Sequence, residues 1–402
     1  METATSVQTK RLLASNRVPL LIISLGHMLN DLMTSVLPAL IPILIIEFDL
    51  SYTQSGLIIM VANVTSSLVQ PVFGYLSDRK PLLWLLPLGV FFTGLGLSGI
   101  AVAPSYAWLL FFVGLSGLGS AAFHPEASRG AHLAAGKGKG LAQSIFQVGG
   151  NGGQALGPLM IPLFLSTMGV KGTPFFLIPA VLAAYLLWIL RPWMKEKRIS
   201  QQRSVKEIKG KDQPLFLLLL VFVVTMRSWI TIGVTTFLPL YYINVSKMTI
   251  DQASVYTFIF LLFGALGTLA GGPIADYLGK KTVVNASLLL AIPFLFLLPY
   301  VEGIIAMVVV GFLGFILFSS FAVTVVFGQE LIPGKVGMAS GLMIGFAIGA
   351  AGIGATALGY FVDHAASSES GLTFVLKLLS WILVASGLIS LTLPNDKKMA
   401  NQ

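Results

Sequence analysis

The chain has 402 residues, 55% of them hydrophobic and only 10% charged, with a mean hydropathy of +0.87 and a net charge of +9. Roughly a quarter of an ordinary soluble domain is charged, and a soluble monomer this apolar would expose large greasy patches, so a soluble globular domain is excluded and lipid is the expected solvent. The absence of cysteine excludes disulfide frameworks and thiolate-held zinc or iron–sulfur sites.

A membrane span needs about 20 apolar residues, because a helix rises ~1.5 Å per residue across ~30 Å of hydrocarbon. Twelve stretches qualify, at 18–46, 54–76, 82–103, 107–125, 141–165, 174–191, 214–242, 253–275, 283–300, 304–329, 337–361 and 372–393. The period-two alternation of a membrane barrel is missing, so the expected fold is an all-α integral membrane protein of twelve transmembrane helices. Lys10, Arg11 and Arg17 lead into an apolar stretch longer than a signal-peptide core, which we expect to be retained as the first span.

Charge gives the orientation. With a cytoplasmic N-terminus, all the basic residues except Lys171, Arg227, Lys247 and Lys377 fall on cytoplasmic segments, so the positive-inside rule places both termini in the cytoplasm of a plasma (inner) membrane protein. The same asymmetry accounts for the net charge without nucleic acid as a partner. The expected organisation is a cytoplasmic segment (1–17), a first six-helix half (18–191), a basic linker (192–213), a second six-helix half (214–393) and a tail (394–402).

The halves echo each other. Gly74-Tyr-Leu-Ser-Asp78-Arg-Lys80 follows the second span, and Gly272-Pro-Ile-Ala-Asp276-Tyr-Leu-Gly-Lys280-Lys281 follows the eighth, 198 residues later. Leu37-Pro38 in the first span corresponds to Leu238-Pro239 in the seventh. Gly149, Gly153 and Gly157 step through the fifth span, as Gly341, Gly345 and Gly349 step through the eleventh. Internal repeats of this kind mark transporter folds with a substrate site between halves near mid-membrane.

The pattern at 272–281 resembles the cytoplasmic-loop motif of the major facilitator superfamily, and Gly153-Gln-Ala-Leu-Gly157-Pro158 is similar to the glycine–proline motif of its antiporters. The first-half loop departs from the motif, reading Asp78-Arg79-Lys80-Pro81. His27-Met-Leu-Asn-Asp31, Phe123-His-Pro-Glu126-Ala-Ser-Arg129 and Gln143-Ser-Ile-Phe-Gln147-Val-Gly-Gly150 resemble the fosmidomycin-resistance branch over nearly the whole chain. That resemblance implies proton-driven efflux of drugs or small organic molecules by a monomer working through alternating access. An arginine that many drug antiporters carry in the fourth span is replaced by Leu110. From the loop motif, Asp78, Arg79, Asp276 and Lys280 are expected to serve the gate, with Asp276 holding the cytoplasmic side closed. The glycines Gly153, Gly157, Gly345 and Gly349, with Pro158, are expected to bring spans five and eleven close to the opposite half.

Ionisable residues inside spans are the strongest functional candidates, since a lone charge at mid-membrane costs at least about 2.5–3.5 kcal/mol. Asp31 lies roughly 20 Å into the first span with His27 one turn earlier on the same face. Arg227 lies at similar depth in the seventh. The expected proton-coupling residues are Asp31, Glu126, His27 and Glu330; the alternative for Glu126 and Glu330 is interfacial pairing with Arg129 and Lys335. The expected substrate contacts are His27, Asn30, Asp31, Arg227, Gln143, Gln147 and Asn151. His124 and His132 rank lower, because their stretch is expected near water. Lys137 followed by Gly138 breaks a P-loop, and the Gly150-x-Gly152-x-x-Ala155 match lies inside a span. No cofactor, no metal and no enzymatic activity are therefore expected. The alternatives to an exporter are a proton-coupled importer of a small organic anion and, more distantly, a receptor or membrane enzyme.

Overall fold

The computed structural model describes residues 16–395 apart from Ser51, Pro81, Lys137, 208–211 and Thr249. Lys10, Arg11, Lys209, Lys211, Lys397 and Lys398 thus lie outside the described residues, as does Lys137. Of the described residues, 90% are helical and none is in a strand, which settles the all-α class.

Among the described residues twelve long helical rods follow one another: α1 (Arg17–Phe48), α2 (Leu57–Arg79), α3 (Leu85–Val102), α4 (Tyr106–Ala134), α5 (Lys139–Leu156), α6 (Leu177–Glu207), α7 (Pro214–Asn244), α8 (Ile250–Leu278), α9 (Lys280–Tyr300), α10 (Gly303–Leu331), α11 (Pro333–Asp363) and α12 (Ser368–Ser390). Eleven stretches among the described residues are long and apolar enough to cross a membrane. The rod missing from that set is α5, whose Gln143, Gln147, Asn151 and Gln154 dilute its apolar content although it is fully helical. A positive φ of 93° at Gly279 turns the chain from α8 into α9, which explains the glycine in the loop motif there.

Two rods outrun the sequence expectation. Pro125 sits inside α4 instead of ending it, and the helix continues to Ala134. Small residues make this possible, for Ala127, Gly130 and Ala131 are buried as the extra turns pack. Likewise α6 runs through the basic tract to Glu207.

Packing divides the chain into two compact units, Met1–Lys209 with Pro333–Phe346, and Gly210–Ile332 with Ala347–Gln402. In the first, α1 lies along α5, α3 is clasped by α4 and α6, and the opening turns of α11 pack on the end of α2. In the second, α8 pairs with α10, α7 packs against α12 and the later part of α11, and α9 fits between α10 and α12.

Candidate functional site

The first unit contains two enclosed polar clusters, both built on α4. The first begins on α1, where the spacing of four puts His27 and Asp31 on one face. His27 Nε2 lies 3.3 Å from Asp31 Oδ2, and His124 Nε2 of α4 lies 3.1 Å from Asp31 Oδ1. All three side chains are buried. Asn30 donates to Asp31 Oδ1 at 3.1 Å and also to the Ser120 hydroxyl, while its own oxygen accepts from Thr93 of α3. Gln154 of α5 donates to Asp31 Oδ2 at 3.0 Å. Three helices therefore converge on one carboxylate, and α3 joins the cluster through Asn30.

The imidazoles are anchored from behind. His27 Nδ1 meets the Phe146 carbonyl oxygen at 2.8 Å and its ring stacks on Phe146 with centroids 4.0 Å apart. His124 Nδ1 meets the Ser120 carbonyl oxygen at 2.8 Å. A Cβ at Gly150 would fall on the His27 ring, so glycine there lets α5 approach α1. The donor atoms of His27, Asp31 and His124 all lie within 4.8 Å of one another, a spacing that protons or a cation can bridge.

The second cluster lies two residues further along α4. Glu126 is fully buried and accepts from the Ser77 hydroxyl, with Arg129 Nε at 3.4 Å and Arg198 Nη1 of α6 at 3.7 Å. Arg129 also pairs with Asp78. The Asp78 carboxylate accepts from the backbone N–H groups of Gly337 at 2.9 Å and Met338 at 2.8 Å, satisfying donors that the start of α11 would leave open. Arg198 further donates to the Ser77 carbonyl. Two carboxylates and two guanidiniums balance, and the cluster joins α2, α4, α6 and the start of α11.

Several sequence candidates are thus brought together and others are placed apart. Asp31, His27 and Asn30 share the first cluster. Glu126 and Asp78 share the second, whereas Arg79 is exposed over the Tyr75 ring. Gln143 and Gln147 are buried on α5, and Gln143 Nε2 and Gln147 Oε1 have no hydrogen-bond partner among the described residues. Asn151 is half-buried. In the second unit Arg227 is buried, donating to the Ser320 hydroxyl at 3.0 Å and lying over the Phe321 ring at 5.2 Å. Glu330 pairs with Lys280 at 3.1 Å, and Asp276 is exposed at the end of α8.

The glycine steps also divide. Those of α5, with Gly157 just after it, lie on α1 of the same unit: a Cβ at Gly149 would meet Ser24, at Gly153 Met28, and at Gly157 Ser35 and Leu32. In α11, by contrast, Gly341 and Gly345 lie against Gln70 of α2, within the first unit. Gly349 belongs to the second unit and is half-buried. The side chain of Pro158 is outside the described residues.

Sequence reasoning undervalued His124 and missed the roles of Gln154, Ser77 and Arg198. His124 had a usable signal, since Ser120 to Ala122 ahead of it and Ala127, Ser128, Gly130 and Ala131 behind it are small residues that permit close packing. Arg198 had none beyond its charge.

The Major Facilitator Superfamily model matches residues 23–356. The chain is 42% identical over 388 residues to the uncharacterized MFS-type transporter YfnC of Bacillus subtilis, covering 94% of this chain and 93% of that one. It is 36% identical over 380 residues to the fosmidomycin resistance protein of Escherichia coli, covering 93% and 92%. The solved structure of the proton:xylose symporter XylE superposes with a TM-score of 0.73 at 16% identity, over 95% of this chain and 96% of the other, which agrees in fold. The chain therefore belongs to the Major Facilitator Superfamily and is a multi-pass secondary transporter of small molecules, not an enzyme.

Proposed function

We propose that the protein is a proton-coupled exporter of drugs or small organic molecules, working as a monomer by alternating access between halves at 18–191 and 214–393, with both termini in the cytoplasm. The carrying observation is Asp31, a buried carboxylate inside a span that is held against two imidazoles at 3.1 and 3.3 Å. Groups of that kind inside a membrane mark ion and proton pathways. Export is favoured because the Escherichia coli relative is named for resistance to fosmidomycin. The residues joining Asp78, Glu126, Arg129 and Arg198 serve as the cytoplasmic gate in this reading, and Gln143, Gln147 and Asn151 offer polar contacts to the cargo.

Everted membrane vesicles with fosmidomycin as the probe test the reading. The wild type should accumulate the probe when the lumen is acidified, whereas Asp31→Asn should still exchange it but lose accumulation and its pH dependence. Accumulation that persists in Asp31→Asn and disappears in Glu126→Gln would move the coupling to Glu126.

A second reading, proton-coupled uptake of a small organic anion, is favoured by Arg227, a buried permanent cation whose partners are a hydroxyl and an aromatic face. It predicts acid-driven uptake in right-side-out vesicles, lost in Arg227→Gln.

A further inference from the structure

The bonding around Asp31 counts its own hydrogens. His27 Nδ1 and His124 Nδ1 each lie 2.8 Å from a backbone carbonyl oxygen. A carbonyl only accepts, so each Nδ1 carries a hydrogen. A neutral imidazole with its hydrogen on Nδ1 presents a lone pair at Nε2, and here both Nε2 atoms face carboxylate oxygens. With no further hydrogen, lone pair would meet lone pair twice in a buried place, where each unmade hydrogen bond costs about 1–3 kcal/mol. One hydrogen repairs one contact and two repair both, whichever heavy atom holds each. The amides of Asn30 and Gln154 do not remove the need, because they donate to the oxygens and bring nothing to the Nε2 atoms.

We propose that His27, Asp31 and His124 form one exchange unit that holds two protons, with His124 as the second carrier, so that two protons cross per transport cycle. The proposal rests on the proton-coupled reading above. In the fully loaded state the His124 contact is an N–H···O bond, the His27 contact is a close ion pair, and the unit carries one positive charge; release of both protons leaves one negative charge, with only N–H bonds made or broken. A divalent cation would bring the same charge. The geometry favours protons, because the two carboxylate oxygens are divided between different imidazoles, Oδ1 hydrogen-bonded to His124 and Oδ2 at 3.3 Å from His27 Nε2, instead of both rings sharing one vertex.

The surroundings leave the unit to itself. On α4 the nearest charges are Glu126 and Arg129, which are engaged with Ser77, Asp78 and each other. α3 contributes no ionisable side chain, and the charged residue of α5 is Lys139 at its start. On α6 the charges begin at Arg191, which lies over the Trp188 ring.

With a difference of about one pH unit and the membrane potential collapsed, each coupled proton supports roughly a tenfold substrate gradient. Wild-type vesicles should therefore approach a ~100-fold fosmidomycin gradient, and His124→Gln, which keeps a donor towards Asp31 but takes up no proton, only ~10-fold. A second measurement needs no substrate: nitrogen-15 NMR of histidine-labelled full-length protein in nanodiscs, between about pH 5 and about pH 9, where imidazoles change charge. Both Nε2 atoms should gain and lose hydrogen as a coupled pair, and Asp31→Asn should abolish the coupling. The proposal is overturned if either Nε2 never carries a hydrogen in that range, if elemental analysis finds one divalent metal per chain, or if His124→Gln sustains the wild-type gradient. If fosmidomycin is not moved at all, the exporter reading falls, and the NMR measurement still decides the two-proton unit.

Discussion

His124 and Glu126 are two residues apart on α4, and at ~100° per residue their side chains leave nearly opposite faces of the helix. Both are buried carriers of charge, yet their companions differ in kind. Around His124 the partner of Asp31 is a pair of imidazoles, which can lose their charge. Around Glu126 the partners are guanidiniums, which cannot. In the first cluster both the acid and its basic partners can change charge by moving protons, while in the second the basic partners keep theirs and balance the two carboxylates. One arrangement suits exchange, and the other suits holding helix ends together. The second also reaches the start of α11 through Asp78, so that breaking it frees backbone N–H groups as well as charges.

The largest expected effect separates the two clusters by stability. Arg129→Gln leaves buried Glu126 and Asp78 short of a cation and should cost on the order of 3–5 kcal/mol, seen as a large fall in the thermal midpoint of purified protein. Adding Glu126→Gln should recover part of that loss. His124→Gln keeps a hydrogen-bonding side chain at its site and should lower the midpoint far less. Equal losses in Arg129→Gln and His124→Gln would remove the distinction between a holding and an exchanging cluster.

Next in size is Asp78→Asn, which keeps an acceptor for one backbone N–H but loses the ion pair with Arg129. Hydrogen bonds to charged groups contribute about 1.5–3 kcal/mol, so the start of α11 should open more often by a factor of ten or more. The chain has no cysteine, and Ser340 is fully buried, so a Ser340→Cys probe reports opening directly. Its labelling should speed up about tenfold in Asp78→Asn. An unchanged labelling rate would show that Asp78 does not hold α11.

The contrast between these clusters was only partly legible in the sequence. The spans were, because apolar runs of about 20 residues leave few alternatives in lipid, and so was Asp31, whose charge stands out in an apolar helix. His124 was ranked low because its stretch reads as the end of a span near water, although α4 continues past Pro125 for more than two turns. The loop motif favoured Asp276 over Asp78 as the gate residue, since the second copy carries the fuller pattern. In the structure the enclosed acid is Asp78, while Asp276 is exposed; motif completeness tracks the turn at Gly279, not the enclosure of the carboxylate. Arg198 illustrates a deeper limit. A basic tract signals orientation by composition alone, and nothing in it tells which of its members turns inward along a helix.

A smaller effect is expected where α5 supports the exchanging cluster. Gly150→Ala would press a methyl on the His27 ring, and overpacking of that kind costs about 1–3 kcal/mol when the neighbour yields. Because His27 would move relative to Asp31, accumulation should fall more than binding does, which separates displacement of the exchange unit from general unfolding. A thermal midpoint loss without a coupling defect would mean that the ring position is not critical.

The smallest effect is expected two residues away. Gly152 sits on the same helix with no heavy atom within 4 Å of where a Cβ would stand, so Gly152→Ala meets no neighbour. Alanine is also favoured over glycine in a helix by up to about 1 kcal/mol, and the thermal midpoint should stay level or rise slightly while accumulation is unchanged. The pair therefore isolates contact from composition, since both substitutions add one methyl to one stretch of α5. If Gly152→Ala impaired accumulation as much as Gly150→Ala, the glycines of α5 would matter for helix flexibility, and the placement of the His27 ring by close packing would no longer explain why they are there.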